Sequence, residues 1–350
     1  MSAASQHGQQ MDRPRPLPLF LDLVRRAGEK DPALAAAALN GLRIYQGAER
    51  NPPTIRPIAA QAGRARLLQC GDSGPPIMLI PSLINPARIL DLAPDQSLLA
   101  FLGEAGFRAM LLDWGQPDRS ESQIGIAGHV EHYLLPLIKA VGEPVHLVGY
   151  CLGGTMAVAA AAIAGDQVRS LSLLATPWHF DGYPTGARDA LASLWGGAKQ
   201  EASQMGLLPI EVLQAAFWSI DTDRTVAKFA ALASDHLDAG GLARFVALED
   251  WANDGAPLTA AAGRDLFEGL VGEDWTGQGR WNVGGLAVDP LRLKCPTFQI
   301  TAAGDRIAPA EAAIRGIQTY SAPAGHVGMI VGSKAHDHCW NKLLRWLATR

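Results

Sequence analysis

The sequence predicts an α/β fold, with a mostly parallel sheet, helices on both faces and an inserted helical cap. Three observations carry that prediction. Short apolar runs alternate with helical-period stretches from about residue 63 to 175. One of those runs, Val145-His146-Leu147-Val148, meets a glycine-pinched turn and then the Ala-rich stretch 156–164. From about 180 to 285 helical patterns dominate with no convincing strand, before strands resume near Cys295 and Ile317.

The elements follow in order. Residues 1–15 are polar, with Gln, Arg and Pro and no apolar core, and read as a flexible tail. Residues 16–60 form an amino-terminal helical segment, in which Leu17, Leu19, Phe20, Leu21 and Val24, then Leu34, Leu39, Leu42 and Ile44, recur with amphipathic helical spacing. That segment is expected to pack as an appendage, with docking on a partner subunit or a polymer surface as the functional counterpart. The core is placed at 61–179 and 286–350, and the cap at 180–285. Within the core, Ala65–Cys70 and Ile77–Ile80 are strands joined by the turn Gly71-Asp72-Ser73-Gly74-Pro75-Pro76. A helix near 95–105 leads to strand Phe107–Leu112, and a helix over 127–141 leads to the strand beginning at Val145. Ser170–Ala175 is the next strand, and Thr176-Pro177-Trp178 marks the change of rhythm. Six of the nine tryptophans fall between Trp178 and Trp281, a density that suits an apolar lid over an acyl cleft or, residue by residue, the lid's own core. Cys295–Thr301 is a buried strand that runs into a turn with Asp305 at its tip. A helical stretch at 310–316, a last strand near Ile317–Ser321 and a loop carrying His326 come before the closing helix.

The segment Gly149-Tyr150-Cys151-Leu152-Gly153-Gly154-Thr155 has the makings of a nucleophile elbow. A residue on a sharp strand-to-helix bend has strained backbone angles, and Gly149, Gly153 and Gly154 remove side chains that would strike the neighbouring strand and helix. The Cys151 thiol is left at the tip. A helix beginning there favours a thiolate, and the Leu152 N–H can point into an oxyanion hole whose second donor, Leu83, comes from the Ser82–Ile84 loop. Asp305 and His326 follow later strands, in the chain order nucleophile, acid, base. That order is the α/β-hydrolase arrangement, so Cys151, Asp305 and His326 are the candidate catalytic residues.

At 350 residues the chain can bury a sizeable core, and 48% apolar with 18% charged residues is ordinary for a globular protein. A net charge of −4 with no dense Lys/Arg cluster argues against nucleic-acid binding. No apolar stretch is long enough for a transmembrane segment, and no secretory signal is readable, so a cytoplasmic location is expected. Cys70, Cys151, Cys295 and Cys339 are far apart and read as free thiols. His129 and His132 flank Glu131 at a spacing without a third nearby ligand, and His336-Asp337-His338-Cys339 reads as surface and capping chemistry, so no metal is expected. Neither a dinucleotide fingerprint nor a Walker loop follows any strand, and no cofactor is expected.

Several segments together resemble the polyhydroxyalkanoate synthases. They are Ile80-Pro81-Ser82-Leu83-Ile84-Asn85-Pro86 with Ile89-Leu90-Asp91-Leu92, Pro94, Gln96 and Ser97; Asp113-Trp114-Gly115-Gln116-Pro117-Asp118; and Gly149 to Thr155. Leu248-Glu249-Asp250-Trp251, Gly325-His326-Val327-Gly328 and Gly332-Ser333-Lys334-Ala335 extend the likeness over roughly 60 to 350. In its short length the chain is closest to the synthases that pair with a separate non-catalytic subunit. Two departures stand out: Arg306 replaces the His that usually follows the catalytic Asp, and 180–285 is poorly matched. The resemblance implies an acyltransferase that polymerises (R)-3-hydroxyacyl-CoA through a Cys-bound thioester, with CoA as part of the substrate. It also implies a growing polyester or granule surface, and a second synthase subunit or a homodimer, as partners. The alternatives are a Cys-dependent hydrolase, either a thioesterase or a polyester depolymerase, and a non-catalytic granule protein.

Overall fold

Eight strands form one sheet in the computed structural model, which describes residues 14–220, 222–234 and 237–350. They are β1 (Ile58–Ala62), β2 (Ala65–Cys70), β3 (Pro76–Ile80), β4 (Arg108–Asp113), β5 (Val145–Tyr150), β6 (Val168–Leu174), β7 (Thr297–Ala302) and β8 (Gln318–Ala322). Their spatial order is β1-β2-β4-β3-β5-β6-β7-β8. From β4 to β8 every neighbour is parallel, whereas β1–β2 and β2–β4 are antiparallel. β3 and β5 are buried along their whole length, as expected of parallel strands covered on both faces. This is the α/β arrangement expected from the strand–helix rhythm.

Several places differ from the sequence expectation, among them the short antiparallel pair Leu207–Leu208 with Leu258–Thr259 inside 180–285, where helical patterns alone are expected. β1 has an exposed, weakly apolar face and is defined by its pairing with β2 rather than by any alternation. Residues 310–316 do not form a helix beyond the single turn Ala310–Ala312. The chain there instead runs past the side chain of Gln299 on β7, whose amide donates to the Ile314 carbonyl at 2.6 Å and accepts from the Ile314 N–H at 3.2 Å. A helix would take both backbone groups out of reach of that amide.

The described chain divides into two units, one built from the residues up to Pro52 with Leu213–Gly255, the other from Pro53–Val212 with Ala256–Arg350. The first is helical. Its helices α1 (Leu17–Lys30) and α2 (Pro32–Gly47) meet at Asp31, which caps α2 by accepting from the N–H groups of Ala33 and Leu34 at 3.0 Å while Pro32 takes the first helical position. Phe20, Leu42 and Tyr45 pack with Trp218, Phe229 and Val246, and Phe20 meets Phe229 edge to face at 5.0 Å. Gly41 permits the close approach, because a Cβ there would lie 1.7 Å from the Phe229 carbonyl oxygen. Tyr45 donates to Asp250 at 2.6 Å and Lys228 pairs with Glu249 at 2.7 Å, so two residues of the Leu248–Trp251 segment serve this helical core.

The second unit holds the sheet. Helix α3 (Leu98–Glu104) precedes β4 and is capped by Ser97, and helix α4 (126–141), with a π turn at Val130–Leu134, precedes β5. Helix α5 (Leu152–Ala164) follows the elbow directly. Of the tryptophans between Trp178 and Trp281, all but the half-buried Trp275 are buried by packing. Trp195 stacks on Phe267 at 5.4 Å and Trp178 meets Trp281 edge-on at 6.1 Å, while Trp218 and Trp251 belong to the helical unit. Among the described residues, no helix is long and apolar enough to cross a membrane.

Candidate active site

Cys151 sits between β5 and α5 with φ 56° and ψ −132°, a left-handed conformation for a residue with a side chain. Local bonds hold it there. The Cys151 N–H donates to the Leu174 carbonyl at 2.9 Å, extending the β5–β6 ladder by one rung, and the Cys151 carbonyl accepts from Gly154 at 2.8 Å. The flanking glycines are required by clearance. A Cβ at Gly149 would stand 2.3 Å from the Gly154 Cα, one at Gly153 would be 2.3 Å from the carbonyl oxygens of Ile80 and Pro81, and one at Gly154 would be 1.9 Å from Thr176 Oγ1. The elbow is therefore wedged between the end of β3 and the loop after β6, with the thiol half-buried.

Asp305 and His326 come together from the loops after β7 and β8. His326 Nδ1 donates to Asp305 Oδ2 at 2.7 Å, and Asp305 Oδ1 accepts from the N–H groups of Ile307 and Ala308, each at 2.8 Å. The carboxylate is thus fixed by three bonds, and the imidazole turns its other nitrogen away from Asp305. Both side chains are buried. Burial works against the charged form of the His326 ring, but it is outweighed by charge at Cys151, by the hydrogen bonds to Asp305 and Cys151 and by the Asp305 charge, and the pKa rises to about 10. The structure therefore joins Asp305 and His326, and the charge at Cys151 acts on the same ring.

The other candidate positions lie around this centre. Leu152 is the first residue of α5, and Leu83 lies in the loop after β3 that the elbow contacts through Gly153. That loop is braced. Trp114 donates from Nε1 to the Pro81 carbonyl at 3.0 Å, and Ser82 Oγ accepts from the Ile84 N–H at 3.2 Å. Gln96 donates to the Val331 carbonyl at 2.6 Å, and Asp91 holds Arg56 at 2.8 Å and Ser97 at 2.6 Å. These bonds give structural work to much of the segment 80–97. On the other side of the elbow, Thr155 Oγ1 donates to the Pro177 carbonyl at 2.7 Å.

Two tyrosines adjoin the site that the sequence reading did not single out. The Tyr150 ring lies 5.0 Å from the His326 ring, and its hydroxyl donates to the His326 carbonyl at 3.2 Å. Tyr183 donates to the Ile307 carbonyl at 2.9 Å and stacks on Phe180 at 5.4 Å. Both phenols have pKa values raised by burial and then by the charges of Cys151 and Asp305. Tyr150 carried a signal, its place next to Cys151 in the elbow. Tyr183 carried none, because it reaches the site through the fold. The discounted histidines are structural: His129 is buried between Arg64, at 2.7 Å, and the Gly125 carbonyl, at 2.8 Å, and burial lowers its pKa to about 4. Similarly, His336 packs against Phe101 and Trp340.

Comparison with known proteins places these features in a family. The alpha/beta hydrolase fold family matches residues 75–323. A poly(3-hydroxyalkanoate) polymerase subunit PhaC from Haloferax mediterranei is 29% identical, covering 79% of this chain and 59% of its own length. The protein of the same name from Haloarcula marismortui is 26% identical, covering 79% and 61%, and that from Allochromatium vinosum is 25% identical, covering 79% and 81%. The chain spans about six tenths of the first two relatives.

Proposed function

Because this chain belongs to the alpha/beta hydrolase fold family, we propose that it is an acyltransferase that polymerises (R)-3-hydroxyacyl-CoA into polyhydroxyalkanoate with release of CoA. The named relatives support the polymer as product, and the His326–Asp305 bond at 2.7 Å, with the charge of Cys151 acting on the same ring, is the observation that supports the mechanism. Asp305 stabilises positive charge on His326, and His326 holds the proton that leaves Cys151. The sulfur attacks the thioester carbonyl, and the resulting oxyanion is met by the N–H of Leu152 with that of Leu83 as second donor. As the tetrahedral centre collapses, the carbon–sulfur bond to CoA breaks and His326 returns its proton to the departing thiolate.

The acyl group is then held on Cys151 as a thioester, so nearly all of its transfer potential is retained. His326 next takes the proton of an incoming hydroxyl, which attacks the acyl carbon to form an ester and returns the proton by way of His326 to Cys151. Repetition lengthens the polyester. A serine at the same place would convert thioester to ester in the first step and leave little driving force for the second. Cysteine therefore favours transfer to a hydroxyl over simple hydrolysis.

The test is incubation with 3-hydroxybutyryl-CoA, following thiol release and insoluble product together, with and without added candidate partner subunits. Polymer formation that is lost in Cys151→Ala and greatly reduced in Cys151→Ser is the expected result. Free 3-hydroxybutyrate released in step with CoA, and no polymer under any of these conditions, would replace this reading with a hydrolase.

A further inference from the structure

A second group of ligating side chains lies within the sheet-bearing unit, outside the set Cys151, Asp305 and His326. His179, Asp181 and Asp274 bring one imidazole nitrogen and two carboxylate oxygens to within 4.8 Å of one another. Asp274 is only 4% exposed. Its Oδ1 is committed, accepting from the Phe180 N–H at 2.7 Å and the Gly277 N–H at 3.2 Å, but its Oδ2 is buried with no hydrogen-bond partner. A buried carboxylate oxygen left without a donor costs free energy, and a cation is the group that relieves it. Space is kept beside that oxygen, since a Cβ at Gly277 would lie 2.3 Å from it. His179 is half-buried and Asp181 exposed, so the cluster runs from the surface to the buried Asp274.

We propose that His179, Asp181 and Asp274 bind one divalent first-row cation of the Zn²⁺ or Mn²⁺ kind. One imidazole with two carboxylates is a donor set of that class, and three protein ligands leave room for water in the remaining positions. The charged group facing the cluster is Arg315, whose guanidinium lies 3.2 Å from Asp181. It opposes the cation, and the bound state has Asp181 exchange Arg315 for metal. The sequence predicts no metal, since His129 and His132 lack a third ligand and 336–339 reads as capping chemistry. The present ligands come from two segments remote in sequence, joined by the Asp274 bond to Phe180. Occupancy would clamp the turn Phe180–Gly182, which is also tied down where the Trp178 and His179 N–H groups donate to the Ala312 carbonyl at 2.7 and 2.9 Å.

The protein, stripped with a chelator, is titrated calorimetrically with Zn²⁺ alone and followed by the visible absorption of Co²⁺ in a parallel titration. One tight equivalent is expected. Losing even an outer-shell partner of a metal weakens binding by about 10–100-fold, so His179→Ala and Asp274→Asn should each weaken it at least about tenfold. Asp274→Asn keeps the acceptor for Phe180 and Gly277, and the half-buried His179 provides a second variant with little folding risk. Arg315→Gln should tighten binding, since it frees Asp181. Absence of a stoichiometric equivalent, or binding that is the same in His179→Ala and Asp274→Asn as in the unaltered protein, overturns the proposal.

Discussion

Replacing Cys151 by Ala should change the titration of a residue it does not replace. Among the influences that raise the His326 pKa to about 10, the charge at Cys151 comes first, and a Cys151 hydrogen bond adds to it. An opposite charge within about 4–6 Å shifts a pKa by about 1–3 units. Removing the sulfur leaves burial pushing down and Asp305 alone pushing up, so the His326 pKa should fall by about 1–3 units in Cys151→Ala. Cys151→Ser, which keeps a small polar side chain but no comparable charge, should fall by a similar amount. The assay is NMR titration of histidine side chains labelled with ¹⁵N, with His326 assigned by its loss in His326→Gln. A His326 that titrates near 6.5 with Cys151 present, or that is unmoved by its removal, would refute the inferred closeness of sulfur and ring.

Asp305→Asn keeps an acceptor for Ile307 and Ala308 but removes the charge beneath the imidazole, so CoA release should fall by about 10²–10⁴-fold with little loss of stability, as measured by steady-state kinetics beside a urea melt. Gly154→Ala drives a Cβ to 1.9 Å from Thr176 Oγ1 and should destabilise by about 1–3 kcal/mol. Adding Thr176→Gly should recover part of that loss, with an interaction energy of about 0.5–3 kcal/mol in the double-mutant cycle. Gly149→Ala meets backbone at 2.3 Å and should have no such partner, so strict additivity at 154 and 176 would contradict the packing described. His129 and His146 have pKa values lowered to about 4, in each case chiefly by burial. The unfolded chain takes up those protons first, so stability should fall as pH drops from 6.5 towards 4, by an amount on the order of 3 kcal/mol for each site. His326 acts in the opposite sense: its contribution is complete below 6.5 and is lost as pH rises through about 10. Urea denaturation across pH 4–10 should therefore give a stability maximum between the two limbs.

Much of the site is local chemistry and so could be read from the chain. The elbow is contiguous: a strand, three glycines, a cysteine and a helix fit no other geometry well, and the clearances at Gly149, Gly153 and Gly154 are those that spacing demanded. Asp305 and His326 were placed by strand ends and chain order, since residues at the carboxyl ends of parallel strands share one edge of the sheet. The buried strands from β3 to β7 were legible because burial leaves a pattern every few residues.

What depended on contacts between remote segments was not legible. β1 carries no apolar alternation, and only its pairing with β2 makes it a strand. The stretch after Ala312 has helical composition, yet the Gln299 amide captures the backbone of Ile314 and holds it extended. The partners of Phe20 and Tyr45 are found some two hundred residues downstream, on helices whose amphipathic spacing says that a face is buried but not against what. Tyr183 and the grouping of His179 with Asp274 likewise exist only once the sheet is assembled. A side-chain pattern reports the burial of its own element. The identity of the neighbour is decided by packing, which joins segments whose separation in sequence leaves no trace in either one.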